Sequence, residues 1–179
     1  MIDFTPLYFL IIFIIGYCLI KASISDYDTR KVPIKTWQYA VYIALPLSFI
    51  PLACKIWDGT INIVNPLQTF AIIYPLFIIG LMFFLASISE RYFPSVNMGG
   101  ADCIAITIIL LTLIPMDLKL PICYMIWFTI MSITWILFMK FYWNTKKDYK
   151  IPLLLPITIA YAITITLYFA FGSGAFPLI

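Results

Sequence analysis

The sequence contains no histidine. That absence removes Ser–His–Asp triads, His-ligated zinc or haem, and imidazole pH switches together. Charge is almost as scarce. Of 179 residues 11% are charged, with 11 Lys plus Arg against 8 Asp plus Glu, while 64% are hydrophobic. A soluble domain carries about 25% charged and about 45–50% apolar residues. A chain this small cannot hide so large an apolar fraction from water, because small domains leave much of their surface exposed. An ordinary soluble globule is therefore excluded, and so is a disordered chain, which needs low hydrophobicity and high charge. The net charge of +3 is too small to point to nucleic acid. Cysteine occurs singly, at Cys18, Cys54, Cys103 and Cys123, with no CxxC pair. A cysteine metal site or a thioredoxin-like centre is thus not indicated, and lone cysteines in membrane helices are the simpler reading.

Long apolar runs are what the chain has in abundance. A helix needs about 20 apolar residues to cross a bilayer. Six runs approach that length: Thr5–Ile24, Trp37–Cys54, Pro66–Ile88, a short Gly100–Pro115, Pro121–Met139 and Pro152–Phe171. The opening Met-Ile-Asp-Phe has no basic n-region, and no small-residue cleavage site precedes Lys21, so the first run reads as a retained span. The pattern predicts an all-α integral membrane protein of six transmembrane helices, one membrane-embedded domain over residues 1–179 without a sizeable soluble domain.

The basic residues give an orientation. Lys21, Arg30, Lys31 and Lys35 fall in one loop, Arg91 in a second, and Lys140, Lys146, Lys147 and Lys150 in a third; the alternating loops hold only Lys55 and Lys119. The positive-inside rule puts the richer loops in the cytoplasm and both termini outside. In that layout Cys54 and Cys123 fall near one face, which leaves a disulfide between them open.

The acids then sort by position. Asp3, Asp58, Asp117 and Asp148 belong to termini or loops, and Glu90 stands beside Arg91 in a loop. Asp26, Asp28 and Asp102 remain, all at the cytoplasmic edge of apolar runs. Ionisable groups near hydrocarbon are costly and mark functional sites by default. Asp102 closes the stretch Asn97-Met98-Gly99-Gly100-Ala101-Asp102. Counted back from Pro115 at about 1.5 Å per residue, it lies roughly 20 Å from the outer boundary, or roughly 10 Å below the cytoplasmic face. Residues 97–101 are then expected to dip inward as irregular backbone, with Gly99 and Gly100 allowing a tight approach. An acid in the first turn of a helix also complements its dipole, whereas Asp26 after the first span stands at the unfavourable end.

Two carboxylates at a wet notch in the membrane suit one chemistry. Like charges a few ångströms apart share a single proton. One carboxylate then acts as base on a water, and the other, protonated, polarises a peptide carbonyl. This aspartic-protease logic needs no His, Cys, Ser, metal or cofactor.

The segment Ser25-Asp26-Tyr27-Asp28-Thr29-Arg30-Lys31-Val32-Pro33 resembles the first motif of type IV prepilin peptidases, with Pro seven residues after the acid. Gly99-Gly100-Ala101-Asp102 resembles their second motif, GxGD, in the form associated with the archaeal branch that includes preflagellin peptidases. The resemblance covers most of the chain in layout but only two short motifs in residue detail. It implies catalytic roles for Asp26 and Asp102, with Gly99 and Gly100 in the active-site loop. Ala101 stands where the strict pattern has Gly, and Ile104 where many members have Lys. The resemblance further implies pilin-like or archaellin-like precursors as partners, cleaved at the cytoplasmic edge of the cell membrane. No N-methyltransferase activity is expected, since the paired-cysteine region of bacterial members has no counterpart. Tyr27-Asp28 also matches the YD motif of presenilin-like proteases, which makes Asp28 a secondary candidate; the spacing to Pro33 favours Asp26. The alternative from another class is a small transporter or channel subunit using the aspartates as proton or cation sites, which calls for acids near the midplane.

Overall fold

The computed structural model describes residues 4–29, 31–62, 64–92, 100–142 and 152–172, with side chains of 85–92 and 142 left aside. The described residues are helical and contain no strand. Helix α1 spans Thr5–Thr29, α2 Leu45–Trp57, α3 Pro66–Tyr92, α4 Gly100–Leu113, α5 Leu120–Tyr142 and α6 Leu154–Phe171. Five segments are long and apolar enough to cross a membrane, and α4 is shorter. At 1.5 Å per residue the 14 residues of α4 rise only about 21 Å, against a hydrocarbon thickness of about 30 Å. The chain is thus an all-α membrane protein. Large apolar side chains stand fully on the outside, among them Phe13, Tyr42, Leu67, Phe77 and Phe141. Such a surface is costly in water and ordinary in lipid.

Two boundaries differ from the sequence reading. Helix α1 continues past Ile24 to Thr29, so Asp26 and Asp28 lie within it rather than after it. Gly100 and Ala101 are helical, so irregular backbone does not reach Asp102; residues 97–99, Gly99 included, lie outside the described residues.

The span Ile34–Trp57 is not one regular helix. A 3₁₀ turn, Ile34–Trp37, leads through a π-helical stretch, Ala40–Ala44, into α2. Pro46 explains the widening. It has no N–H to donate to Tyr42, and its ring crowds that carbonyl. The chain instead closes a wider turn, with the Leu45 N–H donating to the Ala40 carbonyl. Ala40 and Ala44, both wholly buried, belong to the same core as α1 residues such as Cys18 and Ala22. Small residues let helices approach closely in a membrane.

Specific contacts fix the direction of each helix. The Tyr8 hydroxyl donates to the Pro115 carbonyl at 2.8 Å, joining the start of α1 to the residue just past α4. These two helices are therefore antiparallel. Lys55 Nζ donates to the carbonyls of Pro115 (2.6 Å) and Met116 (3.1 Å) and lies 5.6 Å from the Tyr8 ring centroid, which brings the end of α2 to the same place. Ser23 Oγ donates to the Leu154 carbonyl at 3.1 Å and shares a 2.8 Å bond with Thr158 Oγ1, while the Phe9 and Phe169 rings stack at 4.8 Å. Helix α6 thus runs antiparallel to α1 along its length. Cys103 Sγ donates to the Met82 carbonyl at 3.8 Å, pairing the late part of α3 with the start of α4. The result is an up-and-down bundle. Its far end holds Tyr8, Lys55 and Pro115; its near end holds the C-terminus of α1 and the N-termini of α4 and α6.

Helix α4 is the hub. It touches α1, α2, α3, α5 and α6, and it buries Cys103, Ala105, Ile106, Ile108, Ile109, Leu110 and Leu113. A helix apolar on every side belongs inside. Its threonines are tolerated because each hydroxyl donates to its own backbone, Thr107 to Cys103 O and Thr112 to Ile108 O. All four cysteines are free thiols, so the Cys54–Cys123 disulfide is not formed.

The Tyr8 bond is the direct tie between α1 and α4 at the far end. Tyr8→Phe is expected to lower stability by about 1 kcal/mol, the net worth of a typical hydrogen bond, read as a lower unfolding temperature in detergent. An unchanged transition would show that the tie adds nothing.

Candidate active site

The three acids singled out above meet different fates. On α1 the buried positions Ile11, Ile15, Cys18, Leu19 and Ala22 recur every three or four residues, the spacing of one helix face. Asp26 follows Ala22 by four and continues that face, where it is half-buried. Asp28 is two residues further, about 200° around the helix at 3.6 residues per turn, and it is exposed. Helical phase therefore separates two acids that the sequence leaves side by side.

Asp102 lies in the first turn of α4 and is only 8% exposed. The far-end tie between Tyr8 and Pro115 locates both acids along the bundle. From Tyr8 to Asp26 is roughly 27 Å of helix, and from Pro115 back to Asp102 roughly 20 Å. Because α1 and α4 are antiparallel, both acids come to the near end, Asp102 the deeper of the two. Asp26 stands in the last turns of α1, where carbonyls point toward it, and Asp102 in the first turn of α4, where N–H groups do. The two acids thus stand at opposite helix ends, Asp26 in a C-terminal turn and Asp102 in an N-terminal one.

The turn after α1 is built by side chains that the sequence reading passed over. Ser25 Oγ donates to the Lys31 carbonyl at 2.7 Å. Thr29 Oγ1 lies 2.9 Å from the Ser25 carbonyl and 3.0 Å from that of Lys31, and accepts from the Lys31 N–H at 3.3 Å. These bonds reverse the chain and lead through Pro33 into the 3₁₀ turn, which buries Thr36 and Trp37. Arg30 lies outside the described residues. The signal for Ser25 and Thr29 was present, since hydroxyl residues beside a helix end bond readily to nearby backbone.

Gly100 opens α4 and is exposed. A Cβ built there would meet nothing within 4 Å, and its φ is not left-handed. The expected tight approach is therefore absent at Gly100, which stands about 200° around α4 from Asp102. Deeper in the bundle, Tyr124 of α5 and Tyr161 of α6 are buried, and the Tyr124 hydroxyl has no hydrogen-bond partner among the described residues. Neither tyrosine was singled out from sequence; the available signal was a phenol in an otherwise apolar span.

A cavity of about 650 Å³ lies elsewhere. It is at the far end, between the loops on either side of Pro66 and Leu118, and is lined by Lys55, Gln68, Phe70, Asp117 and Lys119 among others. Cavity size and the acids thus point to opposite ends of the molecule. The acids carry the weight here, because ionisable groups at the edge of hydrocarbon are costly and mark functional sites by default. Nearby Asp58 is a solvated loop acid. The Thr60 side chain and its N–H, the latter at 3.0 Å, bond to its carboxylate and hold it below the usual range.

No family model, curated protein or solved structure matches this chain.

Helical phase makes a direct prediction. In a Cys54→Ser background, cysteine at position 28 is expected to react rapidly with a water-soluble maleimide, at position 26 more slowly, and at position 102 at least tenfold more slowly than at 28. Equal rates at 28 and 102 would contradict the burial described.

Proposed function

We propose that this protein is a membrane aspartic endopeptidase of the prepilin-peptidase type, with Asp26 and Asp102 as its catalytic pair. One observation carries the reading: two aspartates from distant parts of the sequence, each on an inward position, lie at the same end of two antiparallel helices. A transport function is less well served, because a transport acid belongs near the midplane with access from both sides. The reading includes six spans, both termini outside and the near end in the cytoplasm, as the distribution of lysine and arginine indicates.

The helix ends divide the work. Asp102, facing the N–H groups of α4, is the ionised base. Asp26, facing the carbonyls of α1, keeps the proton the pair shares. Asp102 takes a proton from a water, and the hydroxide oxygen attacks the peptide carbon while Asp26 donates to the carbonyl oxygen. The tetrahedral intermediate then collapses, the C–N bond breaks, and the departing amine takes a proton from the pair. The substrate binds as an extended strand at the near end, with its scissile peptide between the two acids. The substrate is a precursor with a short basic leader in the cytoplasm and an apolar helix in the bilayer, pilin-like or archaellin-like.

Co-expression with candidate precursors and an immunoblot for the shortened form test this. Asp26→Asn and Asp102→Asn are each expected to abolish cleavage, by about 10³-fold or more, while the protein still inserts. Asp28→Asn is expected to keep at least partial activity. Full processing by either of the first two variants would sink the assignment. Loss in Asp28→Asn, with Asp26→Asn active, would move the role to Asp28.

A further inference from the structure

The cavity at the far end is lined by groups of two kinds. Its polar side holds Lys55, Gln68, Asp117 and Lys119. Lys55 gives hydrogens to the Pro115 and Met116 carbonyls, which fixes its ammonium in place and leaves the third hydrogen for a further acceptor. The Gln68 side-chain oxygen accepts the Asn62 N–H, so its NH₂ is the end left to donate. The Asp117 carboxylate is turned onto its own loop, where it accepts the Lys119 N–H at 2.9 Å. Two ammoniums against one carboxylate, with an amide donor beside them, suit an anionic ligand.

The rest of the lining is apolar, with Leu67, Phe70, Ile114 and Ile122 prominent. A second cavity, about 320 Å³, is lined by Tyr74 of α3 and by Met125, Ile126, Thr129 and Ile130 of α5. Tyr74 follows Phe70 by one helical turn, and Ile126 follows Ile122 by one turn. The two cavities therefore succeed each other along the same pair of helices. The seam exists because α3 and α5 both pack on α4 but, among the described residues, make no extensive contact with each other. From Leu120, where α5 starts, to Ile130 is roughly 15 Å of helix. The hydrocarbon is about 30 Å thick, so the seam is one leaflet deep. It is too narrow for a helix, which is about 10 Å across, and wide enough for an acyl chain.

We propose that this seam is a binding site for one anionic phospholipid of the far-end leaflet. The lipid phosphate sits among Lys55, Gln68 and Lys119. One acyl chain runs down between α3 and α5 as far as Thr129 and Ile130. The charge at the head and the leaflet-deep apolar seam below it select the same molecule, since a free phosphate uses only the first and a neutral lipid only the second. The lipid also fills the gap beside α4 and supports α3, which otherwise packs chiefly on that one short helix. The site stands apart from Asp26 and Asp102 and does not depend on the peptidase reading.

Native mass spectrometry of the full chain in detergent tests this, with titrations of dioleoylphosphatidylglycerol, dioleoylphosphatidylcholine and inorganic phosphate. The wild type is expected to retain one phosphatidylglycerol, bound about tenfold or more tighter than phosphatidylcholine, and 10-fold excess phosphate is expected not to displace it. Lys119→Gln is the better probe of the head, because Lys55 also holds the end of α4. It is expected to weaken phosphatidylglycerol about tenfold and to leave phosphatidylcholine unchanged. Ile126→Trp narrows the seam from its lipid-facing edge and is expected to weaken both lipids. Equal binding of the two lipids by the wild type overturns the charged head. Displacement by phosphate overturns the lipid as occupant, and unchanged binding in Ile126→Trp overturns the chain site. Lys31→Gln, at the near end, is expected to change nothing; a loss there equal to that in Lys119→Gln would show attraction to charge in general and overturn the site.

Discussion

Hydrocarbon offers no hydrogen bonds, so each polar group in these helices must find its partner inside the protein. Most of the bundle follows from that constraint. Threonine hydroxyls fold back on their own helices at Thr107, Thr112, Thr158 and Thr164. Ser23 bridges α1 to α6, and Lys55 spends its ammonium on the two carbonyls past the end of α4. Against so full a satisfaction the exceptions stand out. Four buried side-chain polar atoms among the described residues have no partner, on Trp37, Tyr124, Ser132 and Trp135.

The direction of the chain does chemical work as well as architectural work. An up-and-down bundle alternates helix ends at each face, so a carboxylate late in α1 and another early in α4 share one face yet see opposite dipoles. No additional cation is needed to make them unlike. A short α4 adds depth: its first turn starts inside the level reached by α1, so Asp102 is the more buried of the two acids.

Much of the fold was legible in the sequence, because lipid makes the apolar run the dominant signal. Each of the six described helices falls on one of the six runs, and the shortness of α4 was visible in the distance from Gly100 to Pro115. The ends were less legible. Ser25 through Thr29 are polar and look like loop, yet hydroxyl and backbone bonds carry α1 through them, and that extension gives Asp26 and Asp28 their different faces. The π-helical stretch was not foreseen either; Pro46 signals a break but not whether the chain kinks or widens. At the site, scarcity of charge made Asp26 and Asp102 visible. Tyr124 was hidden, since an aromatic in an apolar span reads as packing until its hydroxyl is seen to lack a partner.

The account depends most on α1 and α4 delivering the two aspartates to one end. Spin labels at positions 28 and 100, both exposed neighbours of the acids, measure this by pulsed electron resonance in a background without the native cysteines. Helices in contact lie about 8–10 Å apart, so a distance distribution centred below about 20 Å is predicted. A distribution centred at the bilayer thickness, about 30 Å or more, would place the acids at opposite ends and contradict the paired site.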